Sequence, residues 1–109
     1  MDRFPTLFSP FRLGGIEVSN RVVFTAHHTH LSGDVPSDDL VAYYESRAAG
    51  GAGLIVVEVA GVHSSARFSS DFIQADSDDC IPGYRRIAQA CHHHGCPVLG
   101  QLYHPGRET

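Results

Sequence analysis

The chain has 109 residues, 42% of them hydrophobic and 18% charged, which is typical of a folded globular domain. Its formal net charge of −4, without a basic run, argues against nucleic acid and anionic membrane surfaces as partners. No apolar stretch approaches the roughly 20 residues of a membrane span, and the N-terminus lacks the pattern of a signal peptide. We therefore expect a cytoplasmic protein.

The first predicted elements are a hairpin and a buried strand. Two short runs around the glycine pair at 14–15 predict a β-hairpin. The run VVF within residues 21–27 lacks polar alternation, as expected of a parallel strand covered on both faces. His27, His28 and His30 follow at its C-terminal end, where ligands bind in α/β proteins. The histidines are therefore the first candidate site residues.

Helices and strands then alternate along the rest of the chain. Ser37 is the predicted N-cap of a helix that ends at the next glycine pair. Glu58 is the one charge in the second strand, and we expect it to pair with a neighbouring basic residue. The remaining predicted segments are the second strand over 53–62, a long polar loop over 64–79, a helix over 82–94 and a third strand over 97–103.

The three cysteines, Cys80, Cys91 and Cys96, are odd in number and not closely paired, which favours reduced structural thiols. The segment CHHHGC from Cys91 to Cys96 looks like a metal motif. Its consecutive histidines fan around a helix, however, and do not converge. We therefore expect a solvated helix end there, without a metal.

The predicted order is hairpin, β, α, β, α, β, which implies an α/β fold with a parallel sheet and right-handed crossovers. Nothing covers the edge of the third strand, and the sequence ends within a loop. We expect residues 1–109 to be the N-terminal portion of a (β/α)8 TIM barrel, a partial domain truncated at its C-terminal side. Such a piece alone is expected to be inactive.

Three segments, NRVVFTAHHT, GAGLIVVEVAGVHSSAR and GQLYHPGRE, together resemble the Old Yellow Enzyme group of NADH:flavin oxidoreductases. The branch with 2,4-dienoyl-CoA reductases and bacterial amine dehydrogenases is the most similar. The resemblance implies an FMN-binding barrel that passes hydride from NADH or NADPH to the activated C=C of an enone or enoyl thioester. Oxidative demethylation of a small amine is the alternative within the family. We also expect a small-molecule substrate and a homo-oligomer.

The resemblance also implies roles for individual residues. It assigns main-chain contacts with the flavin to Ala26, His27, Val59 and Ala60. His28 matches a side chain near the reactive end of the ring, His30 one that faces the substrate, and Gln101 one that hydrogen-bonds the pyrimidine edge. A covalent link through a cysteine at position 28 is excluded by the histidine there. The family's phosphate-binding and proton-donating residues have no counterpart among these residues, so no catalytic residue is assigned.

His28 and His30 also permit a different reading. Residues i and i+2 of a strand point to the same face, and an H-x-H pair after the first strand begins the zinc site of amidohydrolase barrels. His63 and His104 follow neighbouring strands and are candidates to complete such a site. This alternative gives no reason for the NR before the strand or for GQLYHPGR.

Overall fold

The computed structural model describes residues 3–109, in which strands and helices alternate in the predicted order. The strands are β1 (Phe11–Leu13), β2 (Ile16–Val18), β3 (Val23–Phe24), β4 (Leu54–Gly61), β5 (Ile73–Gln74) and β6 (Val98–Tyr103). The helices are α1 (Asp38–Ala49) and α2 (Ile81–His92). Neither helix has the length and apolar character to cross a membrane. The predicted hairpin, both helices and the second and third main strands are confirmed.

The hairpin closes the N-terminal end of the sheet. β1 and β2 pair antiparallel, with Leu13 opposite Ile16. Gly14 between them has φ +59°, a conformation that glycine adopts without strain. The hairpin, Val23 and Leu54 line an apolar cavity of about 280 Å³. This cavity lies at the opposite end of the strands from the candidate histidines.

β4 is the centre of a four-stranded parallel sheet. β6 pairs along one edge of β4, from Ile55↔Val98 to Gly61↔Tyr103. The other edge is shared, because β3 pairs only with the start of β4 and β5 pairs with Ala60 and Gly61 near its end. All of these pairs are parallel, so the strands end at the same side of the sheet.

Two sequence predictions about this region are wrong. The predicted strand over 21–27 pairs regularly only at Val23–Phe24, and the predicted loop over 64–79 contains β5. After Phe24 the chain leaves the ladder, and Thr29 and His28 bond Glu58 and the Asp71 carbonyl oxygen instead. β5 pairs farther along the same edge of β4, at Ala60 and Gly61.

The core lies between the helices and one face of the sheet. Ser37 caps α1 as predicted, and its Oγ accepts the Leu40 N–H at 3.1 Å. Phe24 and Val98 pack against the core from the sheet. The buried core residues are Leu40, Tyr44, Ala48, Ile55, Val57, Ala60, Ile73, Ile87, Cys91 and Cys96. Tyr44 of α1 is thus part of the core.

Glu58 is buried as expected, but its predicted basic partner is wrong. Its Oε1 accepts hydrogen bonds from Thr29 Oγ1 at 2.7 Å and from the Tyr44 hydroxyl at 3.1 Å. The Glu58 backbone N–H donates to the same tyrosine hydroxyl at 2.9 Å. A hydroxyl satisfies both groups because it donates and accepts at once. Two uncharged side chains therefore hold this carboxylate in place of an ion pair.

Glu58 also marks a β-bulge between β4 and β6. The register runs Val57↔Gly100 and then Val59↔Gln101, so Glu58 is the extra residue. Ala60, which follows Val59, points into the core on the side of the helices. Because successive strand residues point to opposite faces, Val59 and Gln101 lie together on the face of the sheet away from the helices.

The buried thiols give a test of this packing. Cys91 and Cys96 are free and 0% and 1% exposed. Burial, with the neighbouring Cys96 sulfur, raises the pKa of Cys91 to about 11, and burial also raises the pKa of Cys96. Both thiols have a higher pKa in the folded state than in the unfolded state. Their contribution to stability is therefore full below the pKa of the unfolded thiol and is lost as pH rises from that value through the folded-state pKa.

We therefore expect native Cys91 and Cys96 to resist iodoacetamide at about pH 8, while both react after unfolding in urea. The free energy of unfolding should fall as pH rises above about 9. Mass spectrometry of tryptic peptides measures the labelling. Labelling of native Cys91 at the rate of the unfolded chain would show that α2 does not pack as described.

Candidate functional site

Polar side chains gather where the parallel strands end. His28 and His30 follow β3, His63 follows β4, and His104 follows β6. Gln101 lies on β6 near the same end, opposite Val59. The C-terminal edge of a parallel sheet is where α/β proteins bind ligands. The structure therefore places the candidate residues at the expected edge.

His28, His30 and Asp71 form a compact cluster. His30 Nδ1 lies 2.6 Å from Asp71 Oδ2, and His28 Nε2 lies 2.8 Å from the Asp71 carbonyl oxygen. The two imidazole rings lie 4.0 Å apart between centroids. A hydrogen bond from Ser69 Oγ, and then the His30 contact, hold the pKa of the Asp71 carboxyl below its usual range. Asp71 is therefore a carboxylate at neutral pH.

Aromatic side chains form one wall of this cluster. The His28 ring makes T-shaped contacts with Phe68 and Phe72, whose ring centroids lie 5.7 Å and 6.2 Å from its own. Both phenylalanines also contact Tyr103 of β6. Phe72 is fully buried, whereas Phe68 is 57% exposed. An exposed aromatic beside a polar cluster offers a flat apolar surface to a ring-shaped ligand.

His27 lies in the same segment, but its ring points towards α1 and away from the His28 cluster. Its Nε2 is 2.8 Å from the Tyr43 hydroxyl of α1, and its ring contacts Phe24. His27 can therefore serve the site only through its main chain. Residues 26–29 lie outside the sheet ladder, so their backbone N–H and C=O groups are not used in strand pairing.

The predicted positions on β4 and β6 differ in accessibility. Val59 is half-buried, and Ala60 is 1% exposed, with its methyl group in the core. Because this methyl group lies in the core, only the main chain of Ala60 is left for contact with a ligand, and that main chain is paired with β5 and β6. Gln101 is exposed, and within residues 3–109 its amide makes no side-chain hydrogen bond. Its donor and acceptor are both free.

His63 and His104 do not join the His28 cluster. Within residues 3–109, the group of potential metal ligands that lie within 4.8 Å of one another consists of His28, His30 and Asp71. His63 Nδ1 instead lies 2.8 Å from Ser65 Oγ, which is 2.9 Å from His104 Nε2. The four-histidine arrangement considered from the sequence is wrong.

The long loop supplies the site residues that sequence reasoning missed. Asp71 lies 41 positions after His30, and no spacing pattern connects them. Arg67 of this loop binds Asp34 at 2.6 Å, and the Gln74 N–H donates to the Asp34 carbonyl oxygen at 2.9 Å. The length of the loop was its only signal of function. These contacts fix the loop against the segment that follows β3.

Comparison with known proteins identifies the relatives of this arrangement. Residues 6–109 match the model of the NADH:flavin oxidoreductase / NADH oxidase family. A metal reductase of Desulforamulus reducens is 40% identical over 103 residues, which cover 93% of this chain and 15% of the relative. An N,N-dimethylglycine/sarcosine dehydrogenase of Chromohalobacter salexigens is 35% identical over 115 residues, which cover 97% of this chain and 16% of the relative.

Among solved structures, the Old Yellow Enzyme homologue of Zymomonas mobilis superposes with a TM-score of 0.86 at 30% identity. The match covers 94% of this chain and 29% of that chain. The chain thus spans less than a third of the length of these relatives.

Proposed function

The chain belongs to the NADH:flavin oxidoreductase / NADH oxidase family, and from this premise we propose that it supplies part of the active site of an FMN-dependent enzyme. Its α/β fold is the N-terminal portion of the (β/α)8 barrel of Old Yellow Enzymes. FMN, when bound, would accept hydride from NADH or NADPH and pass it to the electron-poor C=C of an enone or enoyl thioester. The remaining sections of the barrel would supply the phosphate site and the proton donor.

Gln101 carries this proposal. Its amide is exposed at the end of the parallel strands and has no side-chain partner within residues 3–109. The pyrimidine edge of a flavin alternates carbonyl groups with one N–H, and a primary amide both donates and accepts. The residues present therefore fit the cofactor that the family implies.

The other proposed contacts follow the accessibility of each residue. Ala26, His27 and Ala60 would contribute main-chain groups, because their side chains are small or directed elsewhere. Val59 would lie beside Gln101 along the flavin edge. The main chain at residues 26–29 lies free of the ladder, which suits close approach of a ring.

The two histidines after β3 have different proposed roles. His28, half-buried against Phe72, would face the flavin. His30, whose side chain is 64% exposed, would face the substrate. A small-molecule substrate, a homo-oligomer and a barrel domain that continues past residue 109 belong to the same proposal. A cytoplasmic location also belongs to it, because three free buried thiols suit a reducing compartment.

Oxidation of a small amine is a second candidate within the family. It is favoured by the 35% identity with the dimethylglycine/sarcosine dehydrogenase. The two reactions run in opposite directions with respect to FMN, so one pair of assays separates them. NADH-dependent loss of cyclohex-2-enone absorbance supports the reductase, whereas bleaching of bound FMN by dimethylglycine without NADH supports the amine oxidation.

We expect the complete protein to be purified yellow, to release FMN on denaturation and to hold no stoichiometric zinc. Absorbance near 450 nm and elemental analysis measure the two quantities. The zinc hydrolase alternative has a structural basis in the cluster of His28, His30 and Asp71. One zinc per chain without flavin, lost in His30→Ala, would therefore contradict the flavin proposal.

A further inference from the structure

Asp71 contacts both histidines of the candidate site through different groups. Its carboxylate Oδ2 is 2.6 Å from His30 Nδ1, and its main-chain carbonyl oxygen is 2.8 Å from His28 Nε2. The second carboxylate oxygen accepts from Ser69 Oγ at 2.6 Å. One residue of the loop between β4 and β5 therefore holds two rings that follow β3.

These contacts determine which ring nitrogens carry hydrogen. A carbonyl oxygen only accepts, so His28 Nε2 must carry the N–H that points to Asp71. A carboxylate also only accepts, so His30 Nδ1 must carry an N–H. In their neutral forms the two residues are therefore opposite tautomers. His28 Nδ1 and His30 Nε2 are left for other partners.

The backbone supports the same arrangement. His30 has φ +64°, a left-handed conformation that is uncommon for residues other than glycine. The preceding Thr29 is fixed by its hydrogen bond to buried Glu58, and its Oγ1 accepts the Leu31 N–H at 3.2 Å. Unusual backbone conformations persist where the surroundings determine them, often at functional sites. Here Glu58 fixes the chain beside His30, and Asp71 fixes its ring.

We propose that Asp71 is a positioning residue that sets the ring orientation and N–H positions of His28 and His30. It would present His28 Nδ1 and His30 Nε2 to the bound cofactor and substrate. The identity of those molecules rests on the proposed function, whereas the N–H positions follow from the contacts with Asp71 alone. The dependence of a ring nitrogen on the hydrogen bond of the other nitrogen is general for functional histidines.

Nitrogen-15 spectra of the histidine-labelled complete protein test the N–H positions directly. In wild type we expect neutral His28 in the Nε2–H form and neutral His30 in the Nδ1–H form. Asp71→Ala should release His30 to the Nε2–H form that free imidazole side chains favour. It should leave His28 unchanged, because the carbonyl at position 71 remains. Asp71→Asn should keep the wild-type His30 tautomer, since its amide oxygen still accepts.

Enzyme kinetics test the consequence for the substrate, with cyclohex-2-enone as the probe. Neutral His30 with its hydrogen on Nδ1 offers only a lone pair at Nε2, which cannot bond the carbonyl oxygen of this probe, whereas the Nε2–H form expected in Asp71→Ala donates to it. The gain of one hydrogen bond predicts a KM lowered roughly ten-fold in Asp71→Ala and changed less in Asp71→Asn. FMN should remain stoichiometric in both variants. Asp76→Asn is the matched control, because it removes an exposed carboxylate from the segment just after β5 and should leave KM unchanged.

The spectra and the kinetics together separate this inference from the proposed function. A protein without FMN or enone reductase activity overturns the proposed function, while the spectra still decide the role of Asp71. His30 in the Nε2–H form in wild type overturns the inference whatever the protein binds, and it requires no variant. An unchanged His30 tautomer or an unchanged KM in Asp71→Ala also overturns it.

Discussion

Gln101→Ala in the complete protein is expected to weaken FMN binding by roughly 5- to 150-fold. The change removes the amide that the proposal places at the pyrimidine edge, and each buried polar group left unpaired costs about 1–3 kcal/mol. At about 1.4 kcal/mol for each factor of ten, this cost gives the stated range. Fluorescence titration of the protein with FMN measures the dissociation constant.

The fold should survive this change, because Gln101 is an exposed residue of β6. The Gln101→Glu variant should bind FMN, and the reduction potential of the bound flavin should be lower than in wild type. A carboxylate at this position opposes negative charge on the reduced ring. Gln89→Ala is the matched control, because Gln89 is an exposed amide on α2. Wild-type affinity and potential in both Gln101 variants would remove this residue from the flavin site.

Tyr44→Phe is expected to lower the free energy of unfolding by about 2–4 kcal/mol, although it removes a single oxygen atom. The Tyr44 hydroxyl accepts the Glu58 N–H and donates to the Glu58 carboxylate. Without it, a buried N–H has no partner and the carboxylate keeps only the Thr29 hydroxyl. Urea unfolding of the complete protein measures the loss.

The neighbouring tyrosine provides the control for Tyr44. Tyr43→Phe removes a hydroxyl that contacts the exposed His27, so its cost should stay below about 1 kcal/mol. Burial, and then the charge of Glu58, raise the pKa of Tyr44, so its hydroxyl remains a donor throughout the neutral range. Equal effects of the two substitutions would show that the Glu58 carboxylate does not depend on Tyr44.

Local patterns were sufficient to predict most of the fold. Ser37 and the glycine pair at 50–51 predict α1, because a cap and a stop signal each act within a few residues. The glycine pair at 14–15 predicts the hairpin for the same reason. The alternation of strands with helices predicts the parallel sheet and places His28, His30 and Gln101 at one edge. The site follows from topology, since all parallel strands end on one side.

The remaining features depend on contacts between distant parts of the chain. The pair of Ile73 and Gln74 is too short to be recognised as a strand, and it pairs only because β4 offers an open edge. Asp71 contacts His30 only after the loop has folded back towards the segment that follows β3. Glu58 has hydroxyl partners because Tyr44 and Thr29 lie beside it in the folded protein. No window of sequence contains these pairs.

The pairing of β4 with β6 also has a consequence for synthesis on the ribosome. Ile55 pairs with Val98, so β4 leaves the exit tunnel well before its long partner exists. At roughly 5–20 residues per second, translation of the intervening segment takes a few seconds. During that interval the edge of an apolar strand is open to other chains. Because α1 is synthesised before β4 and packs against it in the core, its early docking would cover one face of β4 until β6 emerges.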